Sequence, residues 1–113
     1  MEFSIVLIYD ALYRMGFKAD NTGFFYLSYS VYLCILYPET RIFSREWLYP
    51  KVGRHYRTHL PNISRQVEEA IFKAWCGSKQ SMERIAGRPL KKCPDDMEII
   101  CYLYQFIIKT YNR

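Results

Sequence analysis

Basic side chains concentrate between residues 41 and 65, where they could bind the phosphate backbone of a nucleic acid. One acid, Glu46, stands in this stretch against six basic residues: Arg41, Arg45, Lys51, Arg54, Arg57 and Arg65. The stretch therefore carries the whole formal net charge of +5, because acids and bases balance over the rest of the chain. A basic patch confined to one segment is typical of a surface that lies on phosphates. We therefore expect binding to double-stranded DNA.

The same segment has the pattern of a helix, a tight turn and a second helix. Pro50 suits the first position of a helix, where its missing N–H costs nothing, and we expect that helix over residues 50–56. Gly53 lacks a Cβ and would let the following helix cross it at close range. After a turn, the helix over residues 61–76 has one apolar face at helical spacing: Ile63, Val67, Ala70, Ile71 and Ala74. This order predicts a helix-turn-helix.

In a helix-turn-helix the second helix enters the major groove by its N-terminal end, while the first crosses the backbone. The side chains in reach of base edges would be His59, Asn62, Ser64, Arg65, Glu68 and Glu69. Arg65 is suited to bind a guanine bidentately, and Asn62 is suited to bind an adenine. Phosphates would be held by Arg45, Lys51, Arg54, Arg57 and Thr58. About five phosphate contacts predict a log–log salt slope of about −4 to −5.

The elements that must position this motif are helical throughout, since no stretch alternates at period two. A short turn of helix, capped by Ser44, precedes Pro50. We expect six helices in all, over residues 3–15, 24–37, 50–56, 61–76, 81–86 and 94–111. The predicted fold class is all-α: a compact six-helix domain covering residues 1–113, with helices three and four as the helix-turn-helix.

The last predicted helix is apolar on two nearly opposite faces. One face holds Met97, Cys101, Tyr104, Ile108 and Tyr111, and the other holds Ile99, Leu103 and Phe106. A helix of this kind either is central in its own domain or shares a face with a neighbour. We predict a homodimer contact through Ile99, Leu103 and Phe106. A helix wedged between two layers of the same domain is the alternative.

Other classes of function find little support in the sequence. The four cysteines stand at wide spacings without a C-x-x-C pair, so packed thiols are expected and no metal. The apolar runs are too short to cross a bilayer, and no secretory signal precedes them, so we expect a cytoplasmic protein without a membrane partner. No nucleophile–base pair or glycine-rich phosphate loop is visible. We expect no enzyme activity, no cofactor and no small-molecule substrate.

Short motifs spread from Ile5 to Ile107 carry a resemblance to a known family. They are Met15-Gly16, Gly23-Phe24-Phe25-Tyr26-Leu27, Leu48-Tyr49-Pro50, Val52-Gly53, Tyr56, Thr58, Arg65, Ala70-Ile71, Ala74-Trp75, Gly87, Lys92-Cys93-Pro94 and Glu98. Together they resemble the C-terminal DNA-binding (effector) domain of the sporulation-initiation response regulator of endospore-forming bacteria. The resemblance implies a six-helix domain with its helix-turn-helix at helices three and four. It also implies sequence-specific binding to promoter DNA, often as paired domains.

The match at the base-reading positions is partial. Arg65 corresponds to the second arginine of the family's recognition helix, whereas Asn62 replaces another arginine. Glu68 and Glu69 replace a basic residue and a histidine, and acids facing phosphates oppose binding, although a glutamate can accept a hydrogen bond from cytosine. The family's target sequence is therefore not expected here. A receiver domain normally precedes this module, and we expect none in these 113 residues, hence no control by phosphorylation within the chain.

Two functions follow from these observations. The first is a sequence-specific DNA-binding transcriptional regulator, with the helix over residues 61–76 in the major groove. The alternative is an interaction module that does not bind DNA but pairs with a related full-length regulator and modulates it. Glu68, Glu69, the outward-facing Phe72 and the two-faced last helix motivate this alternative.

Overall fold

The computed structural model describes residues 4–38 and 44–111, and within them it contains five α-helices and no strand. The helices are α1 (Ile5–Met15), α2 (Thr22–Leu36), α3 (Arg45–Tyr56), α4 (Leu60–Ala86) and α5 (Asp96–Tyr111). The all-α prediction is confirmed. The predicted start of the first helix at residue 3 and Arg41 of the basic segment lie outside the described residues.

The structure has five helices where six were predicted, because two of the predicted segments join across a kink. The segments predicted over residues 61–76 and 81–86 are both part of α4, which is kinked rather than interrupted. The kink lies at Ser78, whose φ of −148° and ψ of 46° fall outside the helical region. The helical conformation is therefore broken at one residue, which lies between the two segments that the sequence predicts.

The predicted short turn after Ser44 and the predicted helix from Pro50 also form one element, α3. Pro50 lies inside this helix and cannot donate the hydrogen bond that would go to the carbonyl of Glu46. Glu46 is exposed, so water can replace the missing donor. The proline therefore does not mark a helix start.

Side-chain caps explain where the first two helices begin. The Ser4 hydroxyl accepts a hydrogen bond from the Val6 N–H at 3.2 Å. The side-chain oxygen of Asn21 accepts one from the Phe24 N–H at 3.1 Å, so α2 starts two residues earlier than predicted.

The core lies around α4, which packs against each of the other four helices. Its predicted apolar face is confirmed, since the following residues are all buried: Ile63, Val67, Ala70, Ile71 and Ala74. This packing leaves the opposite face of the first turns of α4 towards solvent.

The last helix, α5, is central in its own chain and packs against α1, α2 and α4. Ile99 and Leu103 are 0% exposed, and Phe106 is partly buried against the same core. A side chain without exposed surface cannot contact a second copy, so the predicted homodimer contact through Ile99 and Leu103 is wrong. The alternative, a helix wedged between layers of the same domain, describes α5.

The prediction of packed thiols is right for three of the four cysteines. Cys34 is buried, Cys93 and Cys101 are partly buried, and Cys76 is exposed on α4. Burial raises the pKa of Cys34 to about 12. None of the helices in the described part of the chain has the length and apolar character that a membrane crossing requires.

Candidate nucleic-acid interface

A tight turn over residues 57–59 joins α3 to α4. Arg57 ends α3 in the left-handed conformation, with φ of 54° and ψ of 51°, and the Thr58 N–H donates to the Gly53 carbonyl at 3.0 Å. A Cβ on Gly53 would lie 2.8 Å from the Thr58 carbonyl oxygen and 3.6 Å from the side chain of Ile63. The predicted close approach at Gly53 is therefore made mainly by the turn, and only then by the following helix.

The side chains predicted to bind DNA are exposed or half-buried on α3, on this turn and on the first turns of α4. Arg65, the predicted guanine-binding residue, is exposed and does not pack inward. The exposed members of the predicted set are Arg45, Arg54, Arg57, His59, Arg65, Glu68 and Glu69, and the half-buried ones are Lys51, Thr58, Asn62 and Ser64. Three of the basic candidates, Arg45, Lys51 and Arg54, lie on α3, and the others lie on the turn and on the first turns of α4.

Asn62 is the centre of a hydrogen-bond chain within this surface. Its side-chain NH₂ donates to the Thr58 hydroxyl at 2.8 Å and to the Tyr26 hydroxyl at 3.3 Å. Its side-chain oxygen accepts a hydrogen bond from a terminal nitrogen of Arg65 at 2.9 Å. Asn62 therefore has protein partners for both ends of its amide, including the side chain of the neighbouring predicted base reader.

Arg45 has a different partner from the phosphate that was predicted. Its Nε donates to a carboxylate oxygen of Asp96 at 2.9 Å, its Nη2 contacts the other oxygen, and Asp95 lies 4.0 Å away. The Tyr49 hydroxyl donates to the same buried carboxylate at 2.7 Å. Because Asp96 at the start of α5 and the preceding Asp95 neutralise its charge, Arg45 adds little to the positive potential of the surface.

Two opposing effects act on the pKa of the Asp96 carboxyl. Burial raises this pKa, but hydrogen bonds from Arg45 and Tyr49, with the charge of Arg45, outweigh the burial and hold the pKa below its usual value. The carboxylate therefore stays ionised and ties the start of α3 to the start of α5. Sequence reasoning missed Asp96, whose partner Arg45 is 51 residues away in the chain.

Aromatic rings support the basic side chains of α3. The Lys51 ammonium lies 4.3 Å from the centre of the Trp47 ring, and the His55 ring stacks on Tyr29 with centroids 4.1 Å apart at 10°. Lys51 and Arg54 border an open cleft with Tyr29 and His55. Such contacts hold the cations near the surface while leaving them accessible to phosphate.

The two acids and an aromatic ring lie further along α4. Phe72 is 61% exposed, and it lines a groove together with Arg45, Glu68, Ile71, Cys93, Pro94, Asp95 and Asp96. This part of the surface is apolar and partly acidic, unlike the basic surface at the turn. It marks the part of α4 that fits a phosphate backbone least.

Comparison with known families shows which family the chain belongs to. The family model described as "Sporulation initiation factor Spo0A C terminal" matches residues 8–110. The chain belongs to this family. Spo0A C-terminal domains are the DNA-binding effector domains of the sporulation transcription factor, and theirs is not an enzyme family. A search of curated proteins found no match.

Proposed function

We propose that this chain is a sequence-specific DNA-binding transcriptional regulator, acting in the cytoplasm, and that its residues 1–113 form an effector-type domain. In this proposal α3 and α4 form a helix-turn-helix, and α4 enters the major groove by its N-terminal end. The observation that carries the proposal is the exposed Arg65 on α4, beside an exposed turn that holds Arg57 and His59. Membership of a DNA-binding family supports it.

Phosphate contacts are assigned to Lys51, Arg54, Arg57 and Thr58. Arg45 is left out of this set, because Asp96 and Asp95 already compensate its charge. Three cations on the backbone, with Arg65 in the groove, predict a log–log salt slope of about −3 to −4. This slope is shallower than the value expected when Arg45 is counted.

Base contacts are assigned to the exposed side chains of the turn and of α4. Arg65 binds a guanine through O6 and N7, and His59 and Ser64 lie in range of neighbouring bases. Glu68 and Glu69 accept hydrogen bonds from cytosine amines or repel the backbone where no cytosine is available. These acids make the target sequence of this chain differ from that of relatives with basic residues there.

The test is selection of bound duplexes from a random pool, followed by titration at two salt concentrations. We expect Arg65→Ala to lose about 1–3 kcal/mol of preference at one base pair, and Lys51→Ala to weaken all duplexes equally. Lys109→Ala removes an exposed lysine of α5 and should leave affinity unchanged. Absence of binding even at low salt, or identical behaviour of the Arg65 and Lys51 variants, would contradict the proposal.

The second candidate function is an interaction module that pairs with a related full-length regulator and modulates it. The exposed Phe72, in a groove that Arg45, Glu68 and Asp95 also line, favours this function, since aromatic side chains are enriched at protein interfaces. Gel filtration and pull-down with such a regulator, with and without DNA, separate the two functions. A complex that is lost in Phe72→Ser and kept in Tyr13→Ser, without any DNA binding, would support the module; Tyr13 is 53% exposed on α1.

A further inference from the structure

Asn62 has a role different from the one its residue type suggests. We propose that Asn62 is a positioning residue, which holds the guanidinium of Arg65 in its base-reading orientation, and that Asn62 does not itself contact a base. The inference rests on the proposed DNA-binding function, and it concerns how base preference arises at α4.

Both N–H donors of Asn62 and one of the two acceptor sites of its oxygen are already used within the protein. An asparagine that reads adenine uses its NH₂ group and its oxygen together. In this chain the NH₂ group donates to Thr58 at 2.8 Å and to Tyr26 at 3.3 Å, while the oxygen accepts from Arg65 at 2.9 Å. Both N–H groups of the amide are engaged, so binding an adenine would require Asn62 to release Thr58 or Tyr26 and to share its oxygen between the adenine and Arg65.

The partners of Asn62 are themselves fixed in place. Tyr26 is 5% exposed in α2, and its ring packs against the Tyr56 ring with centroids 5.3 Å apart. Thr58 is held in the turn by the hydrogen bond from its N–H to the Gly53 carbonyl. Asn62 is therefore tied to two separate elements, and Arg65 inherits this rigidity through one hydrogen bond. Fixing a long side chain before binding reduces the rotamer freedom lost on complex formation.

The network leaves the DNA-binding groups of both neighbours free. The guanidinium of Arg65 has five N–H donors and uses one on Asn62, so a guanine edge can still be bound through two others. The Thr58 oxygen accepts from Asn62, which leaves the hydroxyl proton of Thr58 available to a phosphate. A phosphate contact at the turn and a base contact on α4 are thus linked through Asn62.

The first test compares Asn62→Ala, Asn62→Asp, Arg65→Ala and the double alanine variant on the selected duplex and its single-base-pair substitutions. Arg65→Ala should lower the preference at one base pair about tenfold, and Asn62→Ala should lower it at that same pair about threefold. The double variant should match Arg65→Ala, because the two residues act as one unit. Asn62→Asp keeps the acceptor, so it should keep the preferred base pair while its added charge weakens binding to all duplexes.

Loss of preference at a different, adenine-containing base pair in Asn62→Ala would overturn the proposal, since it would mean direct reading. Additive losses in the double variant, or a new preference in Asn62→Asp, would overturn it as well. A wild-type protein that binds no duplex at all contradicts the proposed function instead, and a measurement without DNA then decides the role of Asn62.

That measurement is ¹⁵N relaxation of the arginine Nε–Hε groups in the free protein. In the wild type the Arg65 group should be more ordered than that of the exposed Arg54, which serves as the internal reference. Asn62→Ala should make Arg65 as mobile as Arg54, and Asn62→Asp should keep it ordered. An Arg65 side chain that is already as mobile as Arg54 in the wild type would refute the positioning role, whether or not DNA binds.

Discussion

Removing the charge of Asp96 should destabilise the protein more than any other single charge removal at the start of α5. The carboxylate is 4% exposed and accepts hydrogen bonds from the side chains of Arg45 and Tyr49 and from the Met97 N–H. A hydrogen bond to a charged group contributes about 1.5–3 kcal/mol, and breaking a fully buried ion pair costs about 3–5 kcal/mol.

The expected loss is smaller than for a fully buried pair, because the Arg45 side chain is 48% exposed and water screens its charge. Asp96→Asn keeps an acceptor for the Tyr49 hydroxyl, so we expect it to lower the free energy of unfolding by about 2 kcal/mol. Asp96→Ala also leaves the Tyr49 hydroxyl without a partner, in a side chain that is only 1% exposed. We expect this variant to lower the free energy of unfolding by about 3–4 kcal/mol.

Urea denaturation of both variants at neutral pH measures these losses. The matched control is Asp95→Asn, which removes an exposed charge 4.0 Å from Arg45 but keeps a side chain able to cap α5 for the Glu98 N–H. It should change stability by less than about 0.5 kcal/mol. A loss below about 1 kcal/mol for Asp96→Ala, or equal losses for the Asp95 and Asp96 asparagine variants, would refute the reasoning.

The stabilisation by the Asp96 carboxylate should decrease as the pH falls. Because the pKa of Asp96 is lowered in the folded protein, its stabilisation is complete above the unfolded-state pKa and is lost as pH falls through the folded one. The difference between wild type and Asp96→Asn should therefore be constant above about pH 5 and shrink below about pH 4. A difference that grows on acidification would contradict the assignment.

Three further predictions concern packing, thiols and charge. Gly23→Ala should cost about 3 kcal/mol in urea denaturation because its Cβ would meet a backbone carbonyl of α4, whereas Gly77→Ala, with open space, should cost nothing; equal losses would contradict the crossing. A thiol reagent should modify Cys76 in the native protein and Cys34 only after unfolding; the reverse order would contradict the burial. Glu68→Gln should tighten binding to random duplexes about twofold to fivefold at low salt, and unchanged affinity would remove Glu68 from the interface.

The sequence predicts those parts of the fold that depend on interactions between residues a few positions apart. The spacing of Ile63, Val67 and Ala70 predicts a buried face, because residues three and four apart share one side of a helix. Pro50 was misread for the same reason, since its usual position at a helix start is a local preference that tertiary packing overrides.

Contacts between distant elements could not be predicted. Arg45 has the residue type and the sequence neighbours of a phosphate-binding side chain. Its actual partner, Asp96, is 51 residues away in the chain and reaches Arg45 only through the packing of α5. Asn62 and Tyr26 are likewise 36 residues apart, so the network that engages Asn62 has no sequence signature. The two apolar faces of α5 predict burial on both sides, but they do not tell whether a neighbouring molecule or its own chain covers Ile99.

The most direct test of the proposed docking is methylation interference on the selected duplex, in which N7 of each guanine is methylated in turn in the major groove. We predict that methylation of one guanine blocks binding of the wild type and that the same guanine no longer matters to Arg65→Ala. Binding that no methylated guanine disturbs, or interference that persists unchanged in Arg65→Ala, would contradict the placement of α4 in the major groove.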